Sequence, residues 1–197
     1  MFNKKKIFFL PIKIDNETVY AGFWKRLSAG IIDMLVMIPL MIIGYFTQNI
    51  SIIISMITVV IAALFAITYI IYFHYRFGAT IGKMVVGIKI TRPDGSKITL
   101  IQAVLRSSVD IVFCIITVIS ELIALSYADP EIYLNAGKID QAKYILLFYP
   151  AWYSIVNSAS ELWTWSEFIV LLFNKRKRAI HDFIAGTIVI KKQYSKN

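Results

Sequence analysis

The chain has 197 residues, is 58% hydrophobic and carries a net charge of +9, with a mean hydropathy of +0.67. A soluble domain of this length would be less apolar, and the basic residues flank long apolar blocks, so the charge marks topology and anionic lipid rather than nucleic acid. One cysteine, Cys114, excludes a disulfide framework and a Cys/His metal site.

The N-terminus, KKKIFFLPIKIDNETVY, imitates a signal peptide. Pro11 and Lys13 break its apolar run and no small-residue cleavage site follows, so it reads as a retained cytoplasmic or interfacial arm. The first span covers about 23–46, with Pro39 a candidate kink, and the second about 51–73. A short uncharged link makes them an antiparallel helical pair. A basic stretch follows, with a β-hairpin expected over about 84–100. Val85 to Thr91 is rich in β-branched residues, Pro93-Asp94-Gly95 forms the turn, and Ser96 to Leu100 resumes the strand. Strands of this kind cannot lie in lipid, which puts the hairpin in the cytoplasm. Thr99 and Gln102 fit a capping box that opens the third helix, which spans about 103–126. The stretch from Tyr127 to Lys143 reads as a polar loop. The long apolar region from Tyr144 divides into a lead-in to about Tyr153 and a fourth span over about 154–174. Thr187 to Lys191 reads as a short strand able to extend the hairpin.

The expected fold is an all-α, four-helix polytopic bundle, one membrane domain over 1–197, with a small cytoplasmic β-hairpin and a C-terminal strand. Lysines and arginines before the first span, between the second and third, and after the fourth place both termini in the cytoplasm.

Several polar residues interrupt the apolar segments. Arg26 and Asp33 lie seven residues apart, which is two helical turns, roughly 10 Å along one face. An ionised carboxylate within a span costs at least ~2.5–3.5 kcal/mol. Two readings of Asp33 stand: an internal ion pair with Arg26 or Arg106, or a site that moves ions or protons. Arg26 also fits a snorkelling interface residue. The third helix carries Arg106, Asp110, Cys114, Thr117 and Glu121 in steps of three and four, one polar stripe. Asp110 fits a local pair with Arg106 or a ligand site. Glu121 and Glu161 fit the outer headgroup region or a polar route, and Glu167 is read similarly, with Trp163 and Trp165 nearby to mark an interface. His181-Asp182 reads either as a proton-accepting pair at the cytoplasmic mouth or as a helix-terminal pair that positions the tail. His74 reads as an interface residue and Cys114 as packing. Gly78, Gly82 and Gly87 lack a phosphate-binding spacing, and no nucleophile–base constellation points to an enzyme.

Three blocks, YAGFWKRLSAGIIDMLV, FGATIGKMVVGIKITRPDGSKITLIQAVLRS and NKRKRAIHDFIAGTIVIKK, resemble the RDD family of bacterial membrane proteins. The family takes its name from one arginine and two aspartates, matched here by Arg26, Asp33 and Asp182; the stretch 127–143 and the region after it depart from its pattern. The resemblance implies location in the bacterial cytoplasmic membrane, and transport is the activity usually suggested for the family, with cation/proton antiport linked to some members. Asp33 would then be the exchangeable site, with protons and monovalent cations as its partners and Asp110 and Glu121 extending the route. No cofactor is implied. Four short helices barely enclose a pathway, so self-association is expected. The competing class is a non-transporting scaffold or accessory subunit, in which the polar residues are interhelical glue. A lipid-handling protein is a third class.

Overall fold

A computed structural model describes residues 9–196. Lys4 to Lys6, part of the basic arm, lie outside the described residues. The described chain opens with a small hairpin, β1 (Lys13–Ile14) and β2 (Glu17–Thr18). Asp15 and Asn16 turn it, both at positive φ (49° and 62°). Their short polar side chains tolerate that region, and a two-residue turn of this hand matches the twist of paired strands.

The helices follow in order. α1 (Phe23–Thr47) continues through Pro39, and α2 is Ile52–Phe77. α3 is a single short turn of helix (Ile81–Val85), followed by β3 (Ile88–Thr91). α4 is the longest element (Leu100–Tyr127). α5 (Pro130–Asn135), α6 (Lys138–Leu146) and α7 (Tyr153–Phe173) come next. α8 (Ile180–Ile184), β4 (Ile188–Lys191) and a 3-10 turn (Lys192–Tyr194) close the chain. Among the described residues three helical stretches are long and apolar enough to cross a membrane: Phe23–Thr47, Ile52–Val85 and Leu100–Tyr127. Their large apolar side chains, such as Met34, Ile53, Leu64 and Val112, face outward. Such surface suits lipid and not water. The chain is therefore an integral, multi-pass membrane protein with small β-elements.

The residues group into two compact units. One comprises Met1–Val36, Tyr69–Ser108 and Thr164–Asn197. Its centre is β4, which pairs antiparallel with β3 on one side, Ile88 opposite Lys191 and Thr91 opposite Ile188. On its other side lies Val19–Ala21, through a Tyr20–Ile190 bridge and bonds from Ala21 N–H to the Val189 carbonyl (2.9 Å) and from Lys191 N–H to the Val19 carbonyl (2.9 Å). Ile188, Val189 and Ile190 are fully buried as a result. Ala29, Ile98 and Ala103 complete the apolar core beside the sheet.

The second unit comprises Met37–Thr68 and Val109–Trp163. Ala124, Leu125, Ala128, Tyr133 and Ile145 form its core, with Ile52 and Met56 packed against them. Lys138 Nζ donates to Asn49 Oδ1 (2.7 Å), and Gln141 Nε2 donates to the Tyr133 carbonyl (3.0 Å).

The structure corrects three local expectations. The strand expected from Val85 begins only at Ile88, because Val85 ends α3 and Gly87, at φ +70°, turns the chain. The segment after Pro93-Asp94-Gly95 is not a strand. Arg92 and Ser96 close the turn (2.8 Å), Ile98 is buried, and Thr99 caps α4, so the partner of β3 is β4. The stretch 127–143 is not a loop but holds α5 and most of α6. Asp129 caps α5 by accepting from Glu131 N–H (2.8 Å) and Ile132 N–H (3.2 Å), with Pro130 at the first helical position. The Thr99–Gln102 capping box is present. Gln102 N–H donates to Thr99 Oγ1 (3.3 Å), and Thr99 N–H donates to Gln102 Oε1 (3.1 Å). In the region from Tyr144, α6 ends at Leu146 and α7 starts at Tyr153; α7, expected as a fourth span, is not among the three stretches long and apolar enough to cross a membrane.

Candidate functional site

Asp182 is the centre of the most concentrated charge cluster. It sits in the first turn of α8 and is fully buried. Oδ2 accepts from the Ala179 N–H (2.9 Å) and from Arg26 Nη1 (2.8 Å). Oδ1 accepts from Arg106 Nη1, and Thr187 Oγ1 lies at 3.4 Å. One carboxylate thus joins α1, α4 and α8. The guanidiniums are further tied. Arg26 donates to the Lys177 carbonyl, and Arg106 donates to Thr187 Oγ1 (3.0 Å). Arg178 Nη2 donates to the Asp182 carbonyl (2.8 Å) and its Nε to the Thr187 carbonyl (3.1 Å), which fixes the backbone on both sides of the turn into β4.

His181 extends the cluster. Its Nε2 faces Arg106 Nη2 and its Nδ1 faces Glu167 Oε1. A guanidinium only donates, so Nε2 accepts and Nδ1 carries the proton that goes to Glu167. The ring is therefore the neutral Nδ1–H tautomer. Burial, and then Arg106, lower the His181 pKa from its ordinary value. Burial alone would raise the Asp182 carboxyl, but Arg106 and Arg26 outweigh it and hold the group well below its usual range. Two guanidiniums, Arg26 and Arg106, face two carboxylates, Asp182 and Glu167. The balance matters because an uncompensated buried charge is costly.

Asp33 makes a different set of contacts. Its Oδ1 accepts from the Gly82 N–H (2.8 Å) and the Tyr69 hydroxyl (3.0 Å), and its Oδ2 accepts from Thr80 Oγ1 (2.5 Å). The Tyr69 hydroxyl in turn accepts from the Ile81 N–H (3.1 Å). Asp33 therefore satisfies the open first turn of α3 from a neighbouring helix. Gly82 makes this approach possible, since a Cβ there would lie 2.1 Å from the Ala29 carbonyl oxygen. Nearby, His74 is buried, Lys83 Nζ donates to its Nε2 (3.2 Å), and its Nδ1 has no partner among the described residues.

The expected pairings change accordingly. Arg26 pairs with Asp182 and not with Asp33, because two turns of one helix hold the 26 and 33 side chains roughly 10 Å apart along the axis. Arg106 also bonds to Asp182, Thr187 and His181, rather than pairing locally with Asp110 or serving Asp33. Of the residues singled out in the sequence, the structure brings together Arg26, Arg106 and Asp182, and it gives Asp33 its own donors. Tyr69, Thr80 and Thr187 were not anticipated, and Glu167, read as an interface residue, pairs with His181 instead. Thr80 carried a signal, a small hydroxyl residue directly before the helical IGKMV run.

The remaining acidic residues lie in the second unit. Asp110 is exposed on α4 and accepts from the Trp163 indole N–H (2.9 Å). With Cys114, Thr117 and Ser160 it lines an open-sided cavity of about 320 Å³. Glu121 accepts from the Tyr149 hydroxyl and borders a second cavity, of about 290 Å³, with Gln48, Lys138 and Gln141. Glu161 accepts from Asn157 Nδ2 (2.9 Å), one turn earlier on the exposed face of α7.

The family model described as "RDD family" matches residues 20–186, a range that contains Arg26, Asp33, Arg106 and Asp182. "Uncharacterized protein YckC" of Bacillus subtilis (strain 168) is 34% identical over 97 residues, covering 48% of this chain. The match spans 62% of that relative's length. No solved structure matches. With five-sixths of its length matched by the family model, this chain belongs to the RDD family.

Proposed function

We propose that the protein is a small transporter of the bacterial cytoplasmic membrane that exchanges monovalent cations for protons, with both termini cytoplasmic and α7 as a fourth span. The observation that carries this reading is Asp110. It is an exposed carboxylate on a helix apolar enough to cross a membrane, in a cavity it shares with Thr117 and Ser160. A carboxylate in such a place costs at least ~2.5–3.5 kcal/mol, which the Trp163 indole N–H offsets in part and water, a proton or a cation would offset further. Glu121, three turns further along α4, borders the second cavity and continues the polar stripe. Asp33 is a weaker choice for the exchanging group, because it is half-buried against the first turn of α3. Self-association of the chain would close the open side of the Asp110 cavity.

The test is proton flux in proteoliposomes, read with an entrapped pH dye during Na⁺ or K⁺ pulses. Wild type should move protons, Asp110→Asn should lose at least about 90% of that rate, a loss of roughly 1.4 kcal/mol or more in transition-state stabilisation, and Glu161→Gln should keep it. Equal flux in wild type and Asp110→Asn removes Asp110 from the mechanism. Wild-type flux no greater than that of empty liposomes removes transport. The Arg26–Asp182–Arg106 cluster favours a second reading, a non-transporting scaffold, since all its charges are engaged in fastening three helices. That reading requires no flux together with copurification of one stoichiometric membrane partner.

A further inference from the structure

Where α2 ends and the chain turns through α3 into β3, the surface forms a cavity of about 180 Å³ lined by Phe77, Ala79, Met84, Ile88, Lys89 and Lys192. It combines apolar walls with two ammonium groups and no carboxylate. Among the described residues, neither Lys89 nor Lys192 gives its ammonium to a hydrogen bond or an ion pair, whereas Lys83, Lys138 and Lys191 all do. Both are held in place by the fold. The Lys89 stem lies against Gly78, where a Cβ would come within 3.1 Å of its Cγ and 3.3 Å of its Cε. Gly78 has φ +69°, so the chain turns there without a side chain in the way. The Lys192 N–H donates to the Gly87 carbonyl (2.9 Å), which holds this residue beside the start of β3. A third cation stands near, since the Arg76 guanidinium lies 5.8 Å from the centre of the Phe77 ring.

The apolar side of the cavity is open. Phe77, Met84 and Val85 are all exposed, at the end of the apolar stretch Ile52–Val85. An occupant must therefore present negative charge to the lysines and hydrocarbon to the rim. A free phosphate satisfies only the first demand and a neutral lipid only the second. We infer that this cavity binds the phosphate headgroup of an anionic membrane lipid, with Lys89 and Lys192 as the phosphate ligands and Phe77 and Met84 against the start of the acyl chains. Lysine binds phosphate as a point charge, and basic residues at a membrane surface draw anionic lipid in the same way.

The test uses the full-length protein in neutral detergent, titrated with phosphatidylglycerol or phosphatidylcholine and read by native mass spectrometry. Phosphatidylglycerol should bind at this site and phosphatidylcholine more weakly. The double variant Lys89→Gln/Lys192→Gln should weaken phosphatidylglycerol binding roughly thirtyfold, from about 1 kcal/mol for each basic residue. Lys143→Gln, in the other unit, should leave binding unchanged, and gel filtration reports whether each variant is folded. Equal binding of the two lipids overturns the inference, as does unchanged phosphatidylglycerol binding in the folded double variant. Full displacement by millimolar inorganic phosphate also overturns it, by reassigning the site to a free anion.

Discussion

Asp182→Asn is the sharpest perturbation of the charge cluster. The substitution keeps size and shape and removes one negative charge from a fully buried position. Two guanidiniums then face each other across a neutral amide, with Glu167 the nearest remaining carboxylate in the network. Breaking a buried ion pair from one side typically costs about 3–5 kcal/mol. For a chain of this size one kcal/mol is worth about 2–4 °C, so the melting temperature should fall by roughly 6–20 °C. Asp33→Asn is the comparison. Its oxygens accept only from neutral donors, and the Thr80 hydroxyl can turn to accept from the new amide. The loss there is about 1–2 kcal/mol, or roughly 2–8 °C. The assay is thermal unfolding of the detergent-solubilised protein by circular dichroism, with tail release followed by limited proteolysis. An Asp182→Asn protein that melts with wild type, or an Asp33→Asn protein that melts lower than Asp182→Asn, would refute the assignment of Asp182 as the joint between α1, α4 and α8.

Two further outcomes are expected. Folding lowers the His181 pKa, so the unfolded chain takes up the proton first. Stability should then be flat above the ordinary value of 6.5 and decline as pH falls below it, until pH passes the folded pKa. In His181→Gln that decline should shrink, measured as melting temperature between about pH 7.5 and pH 5.5, on either side of the ordinary histidine value; an identical slope would mean that His181 does not contribute to it. Gly82→Ala should push α3 off α1, because its Cβ would sit 2.1 Å from a backbone oxygen that cannot rotate away. The loss should be about 1–3 kcal/mol, as for overpacking in general, and amide exchange at residues 81–85 should rise.

Much of this arrangement was legible in the sequence, and its limits have physical causes. The apolar periods located the long helices, and the Thr99–Gln102 box marked the start of α4, because both signals are local. Arg26, Asp33, Arg106 and Asp182 stood out as polar residues in or beside apolar helices. Their partners did not, since Arg26 and Asp182 are 156 residues apart and no local spacing encodes such a contact. The same holds for β3. Its β-branched run was readable, but the choice between a near strand and β4 depends on which segment can be buried between β3 and Val19–Ala21. The Asp129-Pro130 cap was a local signal that the polar composition around it obscured.

The distance along the chain between Arg26 and Asp182 sets the order in which the protein can be completed. Arg26 enters the membrane region with the first helix and Arg106 with the third, while their shared counter-charge is made 76 residues after Arg106. Until α8 docks, both guanidiniums need water, lipid phosphate or a chaperone as temporary company. The residues that follow Asp182 also supply β4, the strand on which the whole sheet pairs. A chain that stalls before residue 182 therefore lacks both the counter-charge of the two guanidiniums and the partner of β3.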